Sequence, residues 1–435
     1  MQFQLFFDYQ SILDSSPFIQ KYDALFRAFD IAYTGAEHPA FGRKGYAKSS
    51  YMKALVYKQC ERIKYFSDMI RDIESRPAIA MLMGFTPGKL PDASQFSRFL
   101  SSTNNSEIEA VMHSAAQLMI EAGHVSTDIL IGDSKPVRAN TMHNNPKNPS
   151  RSLEKDRKIE RNPAASLGYY SYIKQSCPGK KRQHVYFWGY RTHVLISAEG
   201  VVLVEVTKPN NVSDGQVAKT LMRKLKRTYG QKKGRKIILD AAYDSNAIYN
   251  FITTEMKSKP FIAENTRHKK TVANRDAQGR PVCDAGFPMK YCGRSDTAGH
   301  ARVKYRCPIK CGTKEQRAMF PPQCPVAHSL FIEGKCYGCT AYVALAGDAR
   351  AEALGQRQSR SFKETFSLRT EVERYFSRLG PREFEDTTLY NYRAIRNQMS
   401  IAHLSLNLVA VAAAIVLGEP DKIRCYKTFA VRPAA

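Results

Sequence analysis

The chain has 435 residues, 43% hydrophobic and 24% charged, which excludes a disordered protein and leaves room for two or three domains around a substantial core. Lys and Arg number 66 against 40 Asp and Glu, a formal charge of +26 with pI ≈ 9.6, so the expected partner is a polyanion held by phosphate neutralisation. The most apolar stretch, Leu408 to Leu417, falls short of the ~20 residues a bilayer span requires and reads as a buried helix, so no membrane partner is expected.

Met1-Gln2-Phe3-Gln4 lacks the basic start and apolar core of a secretion signal. Ten cysteines without such a signal favour reduced thiols or a metal site over disulfides. The expected location is cytoplasmic, on the nucleoid in a bacterial cell.

Residues 1–125 read as helical. Ser49 to Tyr57 has an apolar face at helical spacing, and Ile108, Val111, Met112, Ala115, Leu118 and Met119 recur about one turn apart. Pro91-Asp92-Ala93-Ser94 is a helix-start signal. From Asp128 to Val137 the pattern becomes a strand, with an apolar run that closes at Asp133. Residues 141–183 form a polar connection with ten Lys/Arg against three Asp/Glu. His184 to Ser197 and Val201 to Thr207 read as a hairpin turning at Glu199-Gly200. Ser213-Asp214-Gly215 opens a helix reaching about Tyr229, and residues 222–236 carry eight Lys/Arg and no acid. A strand Lys236 to Leu239, a helix Asn246 to Met256 and a strand Pro260 to Glu264 follow. Residues 265–360, rich in Arg, Gly, Pro and Cys, break the pattern and read as an insertion. Residues 361–435 return to helix.

The order β-β-β-α-β-α-β, then a later helix, predicts an α/β fold of RNase H-like type. It would have a mixed five-stranded sheet flanked by helices, a helical N-terminal domain (1–125), a core in two parts (126–264 and 361–435) and a Cys-rich insertion (265–360). In that fold Asp133 and Asp240 lie side by side at strand ends.

Glu373 sits in Arg369-Thr370-Glu371-Val372-Glu373-Arg374-Tyr375-Phe376. Phe366, Arg369, Glu373, Phe376 and Gly380 would share one helix face, with Leu368, Val372, Tyr375 and Leu379 forming the buried stripe. Arg369 and Glu373 are an i,i+4 pair, suited to orienting the carboxylate, holding a phosphate or making an ordinary surface ion pair. Two strand-end carboxylates and one on a later helix are what a two-metal phosphoryl-transfer site needs, since Mg²⁺ takes oxygen ligands and paired ions clamp the attacking and leaving oxygens. On so basic a chain the phosphodiester is nucleic acid. Asp214 and Asp244 are weaker candidates, with Asp214 read as a helix cap.

The chain resembles the DDE transposases of bacterial insertion sequences that carry a Tyr-x2-Arg-x3-Glu-x6-Lys signature. Here the signature is Phe366, Arg369, Glu373 and Gly380, so the ring loses its hydroxyl and the last cation is gone. The resemblance also lies in Ile131-Gly132-Asp133-Ser134, Gly189-Tyr190-Arg191-Thr192-His193, Val206 to Asp214, Leu239 to Ser245, Gly42 to Tyr46 and Pro91 to Leu100. It implies that Asp133, Asp240 and Glu373 hold Mg²⁺ or Mn²⁺, with Asp133 bridging two ions. It further implies that the protein cuts element ends at terminal inverted repeats and joins them to target DNA, as a homodimer in the synaptic complex. Two rivals are a decayed or domesticated DNA-binding protein, suggested by Gly380, and a nuclease on the same core.

Arg369, Lys180, Lys181 and Arg182 are expected to contact DNA. His193 is either a phosphate contact or a buried hydrogen-bonded residue. Trp188, the single tryptophan, either stacks on a flipped base or belongs to the core. Seven cysteines lie in the insertion. Cys307-x3-Cys311 and Cys336-x2-Cys339 could form a Cys₄ zinc site, or be small hydrophobes in an irregular segment.

Overall fold

The computed structural model describes residues 16–37, 45–155, 157–173, 182–265, 274–276, 280–295, 302–326, 338–344, 350, 360–380 and 386–425. The chain divides into two compact units, residues 1–240 with 256–259 and 367–435, and residues 241–255 with 260–366.

The first unit begins with six helices: α1 Pro17–Ala32, α2 Lys48–Cys60, α3 Phe66–Glu74, α4 Pro77–Leu82, α5 Ala93–Ser102 and α6 Asn105–Glu121. In α1, Tyr22, Leu25, Phe26, Phe29 and Ala32 recur at one-turn intervals and are all buried. Helix α5 starts where the turn residues place it. Asp92 Oδ1 accepts the Gln95 N–H at 2.9 Å and Gln95 Oε1 accepts the Asp92 N–H at 2.9 Å, a reciprocal cap.

The sheet follows: β1 Ile129–Arg138, β2 Ser166–Ile173, β3 Arg182–Ser197 and β4 Val202–Pro209, then α7 Asp214–Tyr229 and β5 Lys236–Leu239. Strand β3 is antiparallel to β1, pairing Val194 with Asp133 and His193 with Ser134. Its first half pairs β2 and its second half pairs β4. Strand β5 is parallel to β1, with Ile238 beside Ile131. Ile237, Ile238 and Leu239 are all buried, as expected of a parallel strand covered on both faces. On the far side of β5 begins β6 Lys259–Ile262, whose Lys259 N–H donates to the Arg235 carbonyl at 2.7 Å, and the strand order is β2-β3-β1-β5-β6 with β4 on β3.

Strand β2 lies within the segment read from sequence as a polar connection. Its Leu, Tyr and Ile residues favour a strand, but the dense Lys/Arg around them hides the pattern. Not all of the basic run 222–236 is free to meet phosphates. Lys224 is buried against Glu109 at 2.7 Å, and Arg235 is 2% exposed with its Nε donating to the Thr127 carbonyl at 2.8 Å.

The unit closes with α11 Thr370–Leu379 and α12 Tyr392–Val411, the latter continued by a wider turn to Val416. Helix α12 packs on α2, α5, α6 and β4. The span Tyr392–Val416 is apolar and long enough to cross a membrane, yet 89% of its apolar window is buried inside the protein. Its polar residues are partnered. Asn397 Nδ2 donates to the Leu100 carbonyl at 2.8 Å and the Thr103 carbonyl at 2.9 Å, and Asn407 exchanges bonds with the Val202 backbone at 3.0 and 2.8 Å.

The second unit has α8 Asn246–Asn250, the continuation of β6 Lys259–Ile262 beyond Lys259, and a short ribbon of β7 Asn274–Arg275 with β8 Pro281–Val282. It also has β9 Lys290–Ser295, β10 Arg302–Arg306, α9 Lys314–Ala318, β11 Thr340–Ala344 and α10 Arg360–Ser367. Strands β11, β10 and β9 form an antiparallel sheet in that order. Asp244 is fully buried here, held by Arg350 through Nε at 2.9 Å and Nη2 at 2.8 Å, and it accepts the Asn265 N–H at 2.9 Å. Its carboxylate is committed to that anchor and not to a reaction.

Candidate active site

The parallel register of β1 and β5 runs on past Ile131 and Ile238, so Asp133 comes opposite Asp240, the first residue after β5. Side chains alternate along β3, sending Thr192 to one face and His193 to the other. Asp133 opposes Val194 and shares the Thr192 face. Helix α11 packs on β1 from that face and brings Glu373.

The Asp133 carboxyl is pushed up from 3.8 to about 6, first by burial, then by the nearby charges of Asp240 and Glu373. The Ser134 N–H, donating at 2.7 Å, and Arg369 pull the other way. Arg369 lies between two of the carboxylates, its Nη1 on Glu373 Oε1 at 2.7 Å and its Nη2 3.6 Å from Asp133 Oδ2. Its Nε is buried with no partner. The expected Arg369–Glu373 pair therefore exists, and the arginine points into the carboxylate cluster.

Among the described residues no three His, Cys, Asp or Glu side chains close around one point as a ready-made metal site. Arg369 offsets part of the charge of Glu373 and Asp133. The donor set fits a hard divalent cation, because like charges that raise a buried carboxyl toward neutrality are what an ion of opposite charge relieves.

The single helix face drawn from Phe366 to Gly380 requires correction. Helix α10 ends at Ser367 and α11 starts at Thr370. The Thr370 hydroxyl donates back to the Ser367 carbonyl at 3.1 Å, and Glu371 N–H bonds Leu368 at 3.0 Å, a tight turn that resets the register. Phe366 is on α10, stacked on Phe362 at 5.6 Å. Gly380 lies past the end of α11 at φ 101°, ψ 153°, a conformation confined to glycine. A lysine cannot stand there without strain. Gly380→Lys should destabilise the protein by about 1–3 kcal/mol and leave activity no higher, checked by thermal unfolding beside a strand-cleavage assay.

Of the arginines near Gly380 in sequence, Arg378 donates to the Gly200 carbonyl at 3.5 Å, and Arg382 lies outside the described residues. The cation that does stand here is Lys135. It is two residues from Asp133 on the same face, and its Nζ donates to the Phe376 carbonyl at 3.4 Å, one turn beyond Glu373. Sequence reading passed over it because β1 carries no sign of which lysine meets the later helix.

Other sequence expectations fare differently. Trp188 is 1% exposed, with its Nε1 donating to the Ser152 carbonyl at 2.9 Å, so it is core and cannot stack on a base. His193 is 2% exposed and cannot contact a phosphate. Burial, aided by Arg191, pushes it down to about 3, so it stays neutral 4.0 Å from Asp214. Asp214 is the first residue of α7, and Ser213 is the cap, accepting the Gln216 N–H at 3.4 Å. Burial raises the Asp214 carboxyl, Arg191 opposes, and Asp240 adds to the rise, which places this fourth carboxylate in the field of the site. Lys180, Lys181, the Arg182 side chain and Cys336 lie outside the described residues.

Tyr375 fastens the Glu373 helix. Its hydroxyl meets His403 Nδ1 at 2.6 Å, and His403 Nε2 meets Thr192 Oγ1 at 3.1 Å, so α11, α12 and β3 are joined by one buried chain of hydrogen bonds.

Residues 126–408 match the transposase DDE domain, well over half of the chain, and residues 7–102 match a transposase domain, DUF772. The chain belongs to the DDE transposases. It is a DNA-cleaving and DNA-joining enzyme of the insertion-sequence kind, serving transposition and recombination, and its partner is DNA. Comparison with curated proteins gives no match. Among solved structures, the piggyBac transposase synaptic complex with hairpin DNA aligns with a TM-score of 0.35 at 10% identity, covering 97% of this transposase and 79% of that chain.

Proposed function

We propose that the transposase cuts element ends at terminal inverted repeats and joins them to target DNA at a site built from Asp133, Asp240 and Glu373 on an RNase H-like sheet. The observation that carries this is geometric: the β1–β5 register sets Asp133 against Asp240, and Arg369 joins Glu373 at 2.7 Å and Asp133 at 3.6 Å. The strand order, with an antiparallel β4-β3-β1 ribbon and β5 parallel to β1, supports the fold reading.

Asp133, Asp240 and Glu373 would hold Mg²⁺ or Mn²⁺. Such ions, when bound, lower the pKa of an attacking oxygen and stabilise charge on the leaving 3′ oxygen. The protein's own part is to fix the carboxylates. Register sets Asp133 against Asp240, and the Tyr375–His403–Thr192 chain holds the helix of Glu373. Arg369 offsets the charge of Glu373 and Asp133, and its guanidinium would suit a phosphate oxygen at the same place. Lys135 keeps a positive charge at the same face. Exposed Lys147, Lys155, Arg157, Lys158 and Arg161 on one connection, and Arg223, Lys226, Arg227, Lys232 and Lys233 along α7 and its exit, form the basic surface for DNA. Synapsis of two element ends requires at least a homodimer.

The test is incubation of the purified transposase with Mg²⁺, a DNA fragment carrying the inverted repeats that flank its gene, and a target plasmid. Joined products are expected. Cleavage without joining would make it a nuclease, and tight binding without cleavage an inert DNA-binding protein.

A further inference from the structure

Away from the carboxylates, the first unit carries an open groove of ≈ 460 Å³ between α3, α5 and the residues that lead into α12. Its floor is apolar, with Phe66, Ala93 and Ala394. Two tyrosines line it, Tyr65 just before α3 and Tyr390 just before α12, and they are 50% and 45% exposed. Each has a cation at its ring. Lys64 Nζ is 5.3 Å from the centre of Tyr65, and the Arg161 guanidinium is 5.7 Å from that of Tyr390. Polar groups line the same groove, among them the Ser97 and Thr388 hydroxyls and the Asn391 amide. Asn391 caps α12 with its Oδ1, which accepts the Arg393 N–H at 2.8 Å and the Ala394 N–H at 3.3 Å, so its two amide hydrogens are left for another acceptor.

The groove is tied to the strand that carries Asp133. Arg138 ends β1, with its Nε 2.9 Å from Asp386 Oδ1 and its carbonyl accepting the Thr387 N–H at 3.3 Å. Asn140 Nδ2 then donates to the Thr388 carbonyl at 3.2 Å. Asp133 is five residues back along β1, about 16 Å at the rise of a strand. That is the length of about five stacked nucleotides.

We propose, on the reading that DNA is cut at Asp133, that this groove holds an unpaired base of the strand leading to the cut, stacked on Tyr65 or Tyr390. The volume suits one nucleotide. Singly exposed tyrosines are ordinary, but two on one groove, each beside a cation, form a stacking platform with charges placed for the flanking phosphates. Arg161 belongs to the exposed basic connection given above to the DNA surface, so groove and surface are continuous. The floor takes the apolar body of the base, and the Asn391 amide and the hydroxyls meet its polar edge. A base in a duplex has both faces covered by its neighbours, so the site selects unpaired strands.

The test uses the full-length protein and a single-stranded oligothymidylate carrying 5-iodouracil. Irradiation should join it to Tyr65 or Tyr390, located by mass spectrometry. Tyr65→Ala and Tyr390→Ala should each weaken single-strand affinity by about 5- to 100-fold, while duplex affinity and the unfolding temperature stay near those of the parent, since both rings are exposed. Tyr65→Phe and Tyr390→Phe keep the ring and should bind as the parent does. Alanine variants with parental single-strand affinity would overturn the proposal. So would phenylalanine variants as weak as the alanine ones, or crosslinks confined to other aromatic residues such as Tyr169 and Tyr186. None of these readouts needs cutting, and all are repeated in Asp133→Asn. Crosslinks at the groove in a protein that never cuts or joins would leave the groove standing and remove only the cleavage reading. Unaltered single-strand binding by the alanine variants of an active transposase would remove the groove alone.

Discussion

Asp133→Asn, Asp240→Asn and Glu373→Gln are each expected to lower strand cleavage and joining by about 10³-fold or more while leaving DNA affinity close to that of the parent. The three losses should not add, because the carboxylates act as one set. Asp133→Asn carries a second consequence. The Asp133 carboxyl titrates near 6 when folded, against 3.8 ordinarily. Its protonated form therefore favours the folded state. The stability it contributes is complete below pH 3.8, falls as the pH rises through about 6, and is absent above. A rise of this size corresponds to roughly 3 kcal/mol. In chelator at pH 7.5 Asp133→Asn should unfold at a higher temperature than the parent, and near pH 4 the two should converge. Mg²⁺ should narrow the gap at pH 7.5 by stabilising only the parent. Equal midpoints at pH 7.5 without metal would remove Asp133 from the carboxylate cluster, and undiminished cleavage by any of the three variants would remove that residue from the reaction.

Trp188→Ala should cost about 3–5 kcal/mol, because it empties a large, closed site. Beyond its ring volume, Trp188 ties the connection after β1 to β3. Its indole donates to the Ser152 carbonyl, and its backbone N–H donates to Asn144 Oδ1 at 2.7 Å. The expected result is a markedly lower unfolding temperature with DNA affinity unchanged wherever the variant is folded. Since this is the single tryptophan, the parent also reports directly. Its emission should be that of a buried indole and should not respond to DNA. Quenching on addition of single-stranded ends would restore the stacking role.

These two results test opposite sides of the same strand logic. Asp133 and Trp188 both sit on strands whose existence is plain in the sequence, yet one is a half-buried reaction group and the other is core. Alternation along a strand says that neighbours face opposite ways and does not say which face is covered. Helices α11 and α12 decide that, and they come from the far end of the chain. The same holds for the basic runs. Lys224 and Arg235 look like their neighbours in sequence but are claimed by Glu109 and the Thr127 carbonyl.

What the sequence determined by itself was local: the apolar runs of β1 and β5, the capped start of α5, the stripe of α11, and the three acidic residues with the Arg369–Glu373 spacing. Each is fixed by periodicity, capping or chain geometry over fewer than a dozen residues. The tertiary structure alone decided what depends on residues far apart. The pairing of β1 with β5 joins Asp133 to Asp240 across more than a hundred residues, and helix α11 adds Glu373 from more than a hundred further on. Burial raises Asp133, closes over Trp188 and His193, and puts Lys135 beside Phe376 where no spacing rule points. The reason is physical. Local preferences act through neighbouring backbone groups, whereas desolvation and charge act through space and exist only once the chain has packed.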